Sequence, residues 1–125
     1  MTDLPVRVLV VDDDHDALAT LVALLGDEGH EVHACQRASE VVDAVREYAP
    51  DVVLLDIQMP DATGYDVARE INDRYGRNRP RLIAVTGWKQ VADRVLAYAA
   101  GFDHHVAKPY DADELLKLVR PREPG

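Results

Sequence analysis

The sequence predicts an α/β fold, a single doubly wound parallel sheet of five strands with helices on both faces. Short β-branched apolar runs alternate with stretches in which apolar residues recur at three- and four-residue spacing. This alternation repeats five times within 125 residues, which is typical of consecutive βα units. Right-handed crossovers between parallel strands make a doubly wound sheet the simplest topology. We therefore expect one domain with a substantial core.

The first unit is a buried strand followed by an amphipathic helix. Residues 6–11 form a nearly continuous β-branched run, typical of a strand that is buried on both faces. Apolar residues at i, i+3, i+4 and i+7 predict a helix over 18–25, which Gly26 and Gly29 are expected to end. Residues 31–35 alternate polar and apolar side chains, which indicates a strand near the sheet edge.

The middle of the chain repeats the pattern. A helix over 41–49 precedes a buried strand over 52–55, which ends at Asp56. Residues 59–64 contain the Pro, Asp, Thr and Gly typical of a loop. A third helix is predicted over 67–75.

The last two units follow in the same order. A strand over 82–85 leads to a helix over 92–99, which Gly101 closes. A short fifth strand is predicted over 102–107, and an acidic start signal introduces a final helix over 111–119.

Composition excludes several classes of function. Fourteen Lys and Arg stand against 23 Asp and Glu, a net charge of −9, which disfavours binding to nucleic acid or to an anionic membrane surface. The single cysteine, Cys35, excludes an internal disulfide and a cysteine-based zinc cluster. The chain start lacks the features of a signal peptide, and the apolar runs are only strand-sized. We expect a soluble cytoplasmic domain.

Polar side chains follow four of the five predicted strands. Asp12 and Asp13 end the first, Asp56 the third, Thr86 the fourth and Lys108 the fifth. Because the carboxyl ends of parallel strands share one edge, these groups should converge. Two carboxylates ~4 Å apart repel by about 4 kcal/mol at an effective dielectric constant near 20. A hard divalent cation such as Mg²⁺ relieves this repulsion, and the sequence therefore predicts a magnesium and phosphoryl site.

Four segments together resemble a known family. They are Val10-Val11-Asp12-Asp13-Asp14, Leu54-Leu55-Asp56-Ile57-Gln58-Met59-Pro60, Val85-Thr86-Gly87 and Ala107-Lys108-Pro109-Tyr110. In this order, each at the end of a strand, they look like the motifs of two-component response-regulator receiver domains. The resemblance covers about 6–119 and implies a flavodoxin-like sheet of strand order 2-1-3-4-5. It also implies that 1–125 is one receiver domain, with 120–125 as a flexible tail and no output domain.

The resemblance implies roles for the acidic residues. Asp56 would be the phosphoacceptor, taking a phosphoryl group from a phosphohistidine of a histidine kinase or histidine phosphotransfer protein. Asp12, Asp13, Asp56 and the backbone carbonyl of Gln58 would hold Mg²⁺, or Mn²⁺ in its place. A receiver of this kind takes part in phosphorelay signalling and promotes its own phosphorylation and dephosphorylation, rather than acting as an enzyme on external substrates.

The resemblance also implies a switch. Thr86, Gly87 and Lys108 would contact the phosphoryl group, and Thr86 and His105 would move together when the group is bound. His105 stands where the family often carries Tyr or Phe, and an imidazole buries less apolar surface and can become charged.

Further positions have expected supporting roles. Gln58 and Trp88 would tune the access of hydrolytic water, and the Lys108–Pro109 peptide bond resembles the cis bond of the family. The face formed by the fourth helix, fifth strand and fifth helix, 89–119, would contact a protein target or a second copy. The sequence of residues 101–109 is similar to that of receiver domains attached to hybrid histidine kinases.

Other functions explain the sequence less well. A Mg²⁺-dependent phosphatase of the haloacid-dehalogenase kind uses Asp-x-Asp, which Asp12 and Asp14 match, but the following His15 and Asp16 do not fit and a cap domain has no room. A nucleotide- or flavin-binding module would need a Gly-rich phosphate loop, which is absent. A degenerate receiver is disfavoured because every matching position is filled. Asp14 and Asp16 are interpreted as a solvated helix start.

Overall fold

The computed structural model describes the backbone of residues 5–87 and 91–119, and the side chains of these residues except 91–93. Five parallel strands form one sheet in the order β2-β1-β3-β4-β5, which confirms the predicted fold class and strand order. The strands are β1 (Arg7–Val11), β2 (Glu31–Cys35), β3 (Val52–Asp56), β4 (Arg81–Thr86) and β5 (His104–Ala107). The helices are α1 (His15–Asp27), α2 (Val41–Tyr48), α3 (Gly64–Tyr75), α4 (Val91–Ala100) and α5 (Ala112–Leu118).

Helices cover both faces of the sheet. Successive strand side chains point to opposite faces, so Leu9 and Val11 pack with α2, α3 and α4, whereas Val8 and Val10 pack with α1 and α5. The residues of β3 are buried throughout, as expected for a central strand between two helical layers. No helix in the described parts of the chain combines the length and apolarity that crossing a bilayer requires.

Several predicted boundaries were wrong. The fifth strand begins at His104 rather than at 102, because Phe102 is buried at the end of α4, where its N–H donates to the Ala97 carbonyl at 3.1 Å. Gly26 lies inside α1, and the left-handed backbone after the helix falls on Gly29, with φ 87°. Two short 3₁₀ turns, Ala38–Glu40 and Gly76–Asn78, were not predicted.

The strand register brings the four functional strand ends together. Val11 pairs with Leu55, Asp56 with Val85 and Thr86 with Ala107. The residue that follows or ends each of these strands therefore lies at the same carboxyl edge of the sheet. The acidic helix start is also confirmed at Asp14, whose side chain accepts from the N–H groups of Asp16 and Ala17 and caps α1.

Candidate functional site

Burial of polar groups marks the carboxyl edge of the sheet. Among the side chains that the structure describes, only three polar or charged residues are buried: Asp12 with 2% of its surface exposed, Asp56 with 7% and Thr86 with 0%. All three end or follow adjoining strands at this edge. A buried carboxylate is costly unless it is paired or binds a cation. The fold thus places its buried charges where a ligand can compensate them.

Three carboxylates form a cluster at this edge. Asp12, Asp13 and Asp56 each offer an oxygen, and these oxygens all lie within 4.8 Å of one another. Asp12 and Asp56 are buried, whereas Asp13 is exposed and forms the solvent side of the cluster. The three residues that the sequence analysis selected as acidic metal ligands are therefore brought together.

Backbone N–H groups fix one oxygen of each buried acid. The Asp14 N–H donates to Asp12 Oδ1 at 2.9 Å, and the Gln58 N–H donates to Asp56 Oδ1 at 3.2 Å. Both bonds come from the residue two positions further on, so each loop holds its own carboxylate. The other oxygen of each acid faces Lys108, the residue that follows β5.

Lys108 supplies the positive charge. Its Nζ lies 3.1 Å from Asp12 Oδ2 and 3.8 Å from Asp56 Oδ2. The Lys108 N–H donates to the Thr86 carbonyl at 2.7 Å, which joins the end of β5 to the end of β4. The peptide bond between Lys108 and Pro109 is cis, the isomer that the resemblance implies.

The balance of charges shifts two pKa values. Burial raises the pKa of Asp56 to about 6; the positive charge of Lys108 opposes this rise and the negative charge of Asp12 adds to it. Burial alone would lower the pKa of Lys108, but its hydrogen bond to Asp12 and the charges of Asp56 and Asp12 outweigh burial and raise it. Lys108 is a single positive charge beside three carboxylates, so the cluster keeps an excess of negative charge when all three are ionised.

The donor set fits a hard divalent cation. Carboxylate oxygens are the ligands that Mg²⁺ prefers, and the shared acidic cluster carries three of them against one lysine. Burial, with the negative charge of Asp12 in addition, raises the pKa of Asp56 despite the nearby Lys108, and a bound cation would favour the ionised form. Asp12, Asp13 and Asp56 are therefore the residues that could hold Mg²⁺ at this edge.

Gly64 is a site residue that the sequence analysis placed only in a loop. It begins α3, and its N–H donates to the Ile57 carbonyl at 2.9 Å. A Cβ at this position would lie 2.8 Å from the Ile57 Cα and 2.9 Å from the Asp56 carbonyl oxygen, both backbone atoms. Only glycine lets α3 start this close to Asp56. In the sequence, the only indication of this close approach was a glycine at the end of the predicted loop.

Asp61 is a second residue that the sequence analysis did not select. Its carboxylate accepts from the N–H groups of Ala38 at 3.2 Å and Ser39 at 3.0 Å. These hydrogen bonds, with the Ser39 bond the stronger influence, lower the pKa of Asp61. The loop after Asp56 is thereby joined to the 3₁₀ turn that precedes α2. No spacing rule in the sequence indicates this long-range contact.

The remaining predicted residues lie around the cluster. Among the described residues, no atom comes within 4 Å of a Cβ built at Gly87, so the space beside it is open. His105 is half-buried on β5 and lines a cavity of about 500 Å³ with Tyr98 and Tyr110. Trp88 and positions 89–90 of the predicted contact face lie outside the described residues.

Comparison with known proteins gives the family. A sequence profile described as response regulator receiver domain matches residues 8–120. The chain belongs to this family. A response regulator named MprA from Mycobacterium sp. (strain KMS) is 36% identical over 117 residues, which are 94% of this chain and 50% of that protein. The chain thus spans about half the length of the curated relatives it matches.

Solved receiver domains share the fold. A CheY-like receiver domain protein from Methanospirillum hungatei is 30% identical, with a TM-score of 0.81 over 91% of this chain and 90% of that one. The signal receiver domain of a response regulator from Bermanella marisrubri is also 30% identical, with a TM-score of 0.81 over 89% and 92%.

Family membership decides between the functions weighed from the sequence. Receiver domains take part in two-component signalling, and their general function is to accept a phosphoryl group on an aspartate. The chain is therefore a signalling receiver domain. The alternative of a haloacid-dehalogenase phosphatase finds no support in these comparisons.

Proposed function

We propose that Asp56 is the phosphoacceptor of this receiver domain. The phosphoryl donor is a phosphohistidine on a histidine kinase or histidine phosphotransfer protein. The observation that carries the proposal is the geometry of Asp56: it is buried beside two other carboxylates, and Lys108 Nζ is 3.8 Å from its free oxygen. Of the three clustered acids, Asp56 alone ends a central strand whose residues are all buried.

Mg²⁺, or Mn²⁺ in its place, is the cofactor of the proposed site. Asp12, Asp13, Asp56 and the Gln58 backbone carbonyl would hold it. When bound, the ion neutralises negative charge on the phosphoryl oxygens. The support from this chain is the set of three oxygens that lie within 4.8 Å of one another. Burial raises the pKa of Asp56, and the negative charge of Asp12 adds to this rise.

The residues of the chain position the transfer. At pH 7 the Asp56 carboxylate is ionised, since this pH lies above its pKa of about 6. One of its oxygens attacks phosphorus as the P–N bond to the donor imidazole breaks, and the imidazole nitrogen takes up a proton. Lys108 then pairs with a phosphoryl oxygen, and the Thr86 hydroxyl donates to another. Catalysis is mostly positioning and charge neutralisation.

The same residues support loss of the phosphoryl group. Water attacks phosphorus in line with the Asp56 oxygen, and phosphate leaves as the carboxylate is restored. As the family resemblance implies, Gln58 and Trp88 tune the access of this water and so the lifetime of the phosphorylated state. The domain thus promotes its own phosphorylation and its own dephosphorylation.

Phosphorylation switches the surface formed by α4, β5 and α5. Thr86 moves toward the phosphoryl group, Gly87 leaves room for that group, and His105 follows Thr86 inward. The surface carries exposed apolar side chains, with Val95 exposed by 60% and Tyr98 by 51%. Such side chains suit contact with a protein target or a second copy of the domain.

The setting of the domain follows from the proposed donor. Histidine kinases transfer their phosphoryl groups in the cytoplasm, and we place the domain there. The resemblance of 101–109 to receivers of hybrid histidine kinases makes such a kinase the natural donor or carrier of the domain.

Phosphoryl transfer from a small donor tests the proposal. The protein is incubated with acetyl phosphate and Mg²⁺, and its intact mass is followed. We expect wild type and the exposed control Asp73→Asn to gain one base-labile phosphoryl group, and Asp56→Asn to gain none. Equal labelling of Asp56→Asn would move the acceptor elsewhere. No labelling of the wild type would remove the proposed mechanism, and rapid turnover of an external phosphomonoester would favour a phosphatase.

A further inference from the structure

Strand β2 forms one edge of the sheet, and half of its backbone groups point away from it. The Glu31 N–H donates to the Val6 carbonyl, and the Cys35 carbonyl accepts from the Asp12 N–H. In a parallel pair, alternate residues bond to the same neighbour, so Val32 and Ala34 direct their N–H and C=O groups outward. In the described part of the chain no strand pairs with this side of β2. An open edge of this kind is a template for another strand.

A groove of about 520 Å³ lies between β2 and α2 along this edge. It is lined by His33 and Cys35 on the strand and by Glu40, Asp43, Glu47 and Tyr48 on the helix side. The Tyr48 ring forms part of the groove wall and stacks on His33, with the ring centroids 5.0 Å apart. The groove therefore combines outward-facing backbone groups with enough volume for the side chains of an added strand.

The wall of the groove is acidic. Glu40, Asp43 and Glu47 recur at i, i+3 and i+7 and form one exposed stripe. Arg46 lies 3.3 Å from Asp43 and 3.7 Å from Glu47, which leaves three carboxylates against one guanidinium. A second guanidinium, that of Arg7, lies 4.4 Å from the centre of the Tyr48 ring, and its charge is paired with Glu31 at 2.8 Å.

We propose that this groove docks an extended basic segment of a partner protein. The segment adds to β2 as a sixth strand, and bonds to the outward groups of Val32 and Ala34 hold its backbone. Its arginine or lysine side chains, at alternate positions, contact Glu40, Asp43 and Glu47. The groove lies on the far edge of the sheet from β5, so it is separate from the surface proposed to switch on phosphorylation.

Charge selects this occupant over a second copy of the chain. Pairing two β2 edges would bring two acidic stripes together, each on a chain with a net charge of −9. Like charges at a close interface oppose association. A basic segment gains from the same stripe, both in encounter rate and in orientation.

Binding of a synthetic peptide tests the proposal. The probe is a short peptide in which arginine and valine alternate, and the comparison peptide replaces arginine with glutamate. With ¹⁵N-labelled protein at low salt, we expect the basic peptide to shift the amide signals of Val32 and Ala34 and to slow their hydrogen exchange. The acidic peptide should do neither. Absence of these changes with the basic peptide overturns the proposal.

Two variants separate charge from strand pairing. Neutralising the stripe (Glu40→Gln, Asp43→Asn, Glu47→Gln) should weaken peptide binding at least about tenfold, because each exposed ion pair contributes up to about 1 kcal/mol. The control Asp66→Asn, Glu70→Gln, Asp73→Asn removes the same charge from exposed positions of α3 and should bind within about twofold of wild type. Equal weakening by both sets would show charge attraction without a groove.

Ala34→Pro removes the outward N–H without breaking a bond to β1, a position where edge strands tolerate proline. It should reduce peptide binding severalfold while phosphoryl uptake from acetyl phosphate, which does not use this edge, is retained. Retained uptake shows that the variant is folded. Unchanged binding by a folded Ala34→Pro variant would exclude strand addition.

Discussion

Two charged clusters lie at opposite ends of the sheet, and their pKa shifts have opposite signs. At the amino end, Arg79 and Asp103 form a two-pronged pair with N–O distances of 2.8 and 2.9 Å. Burial alone would raise the pKa of Asp103, but its bonds from Arg79 and from the Leu82 N–H outweigh burial and lower it. At the carboxyl end, burial raises the pKa of Asp56 despite the nearby Lys108.

The difference lies in the ratio of charges. Asp103 faces a guanidinium of matching geometry, so its ionised form is stabilised within the protein itself. Asp56 shares one ammonium with Asp12, so its ionised form is incompletely compensated. The first cluster contributes to the stability of the fold. The second has uncompensated negative charge, which a bound cation can neutralise as it binds a phosphoryl group.

Removal of Lys108 takes away the positive charge that faces Asp12 and Asp56, and we expect it to have the largest effect. Lys108→Ala should lower phosphoryl uptake from acetyl phosphate by about 100-fold, because a positioned donor to the transferred group is lost. It should also raise the pKa of Asp56 further, since Lys108 lowers it in the wild type. Uptake is measured by intact mass and the pKa by carboxyl NMR. The exposed Lys117→Ala is the control, and wild-type uptake by Lys108→Ala would contradict the assigned role.

Breaking the balanced pair should affect stability and leave the chemistry unchanged. Asp103→Asn removes the negative charge that the half-buried Arg79 guanidinium faces, and we expect a loss of about 2 kcal/mol in the free energy of unfolding, measured in urea. The exposed pair of Arg69 with Asp66 is the control, and Asp66→Asn should cost less than about 0.5 kcal/mol. Since the folded pKa of Asp103 is lowered, its contribution is present above the unfolded pKa and fades as the pH falls through the folded value. A pH-independent difference between Asp103→Asn and wild type would argue against this account.

A substitution at Gly64 changes the geometry around the acidic cluster without changing its charge. Gly64→Ala places a Cβ against the backbone of Ile57 and Asp56, and relief of this contact should cost about 2 kcal/mol. Phosphoryl uptake should fall as well, because α3 must move away from Asp56. The matched substitution is Gly26→Ala, where a Cβ meets no atom within 4 Å and α1 should gain helix propensity. Equal stability of the two variants would exclude the close contact.

Neutralising Asp56 should give the smallest change, and one of opposite sign to that of Asp103→Asn. A pKa raised from 3.8 to about 6 corresponds to a cost on the order of 3 kcal/mol for the ionised form. This cost already includes the attraction of Lys108. Because solvent on the open side of the cluster screens part of the cost, we expect asparagine to give a net gain of about 1 kcal/mol at pH 7 without metal. The gain should shrink as pH falls from 6 and vanish below 3.8, where wild-type Asp56 is protonated in both states. Thermal or urea unfolding across this range checks it, and a loss of stability at pH 7 would contradict it.

Local sequence signals determined the order of elements and the candidate site. The five apolar runs and the period of the helical stripes were enough to predict a doubly wound sheet, and the polar residues at four of the strand ends indicated the site. Strand direction then implied that Asp12, Asp56, Thr86 and Lys108 share one edge, because parallel strands end on the same side. These inferences needed only neighbours along the chain and the alternation of side chains.

Tertiary contacts decided what the sequence left open. Phe102 has a high strand propensity, yet it packs at the end of α4 because burial there outweighs that propensity. The bonds of Asp61 to the 3₁₀ turn before α2, and the contact of Gly64 with Asp56, join residues far apart in the chain or depend on exact helix placement. The sign of each pKa shift was undetermined for the same reason. Composition counts charges along the chain, whereas a pKa depends on burial and on the few charges within a few ångströms.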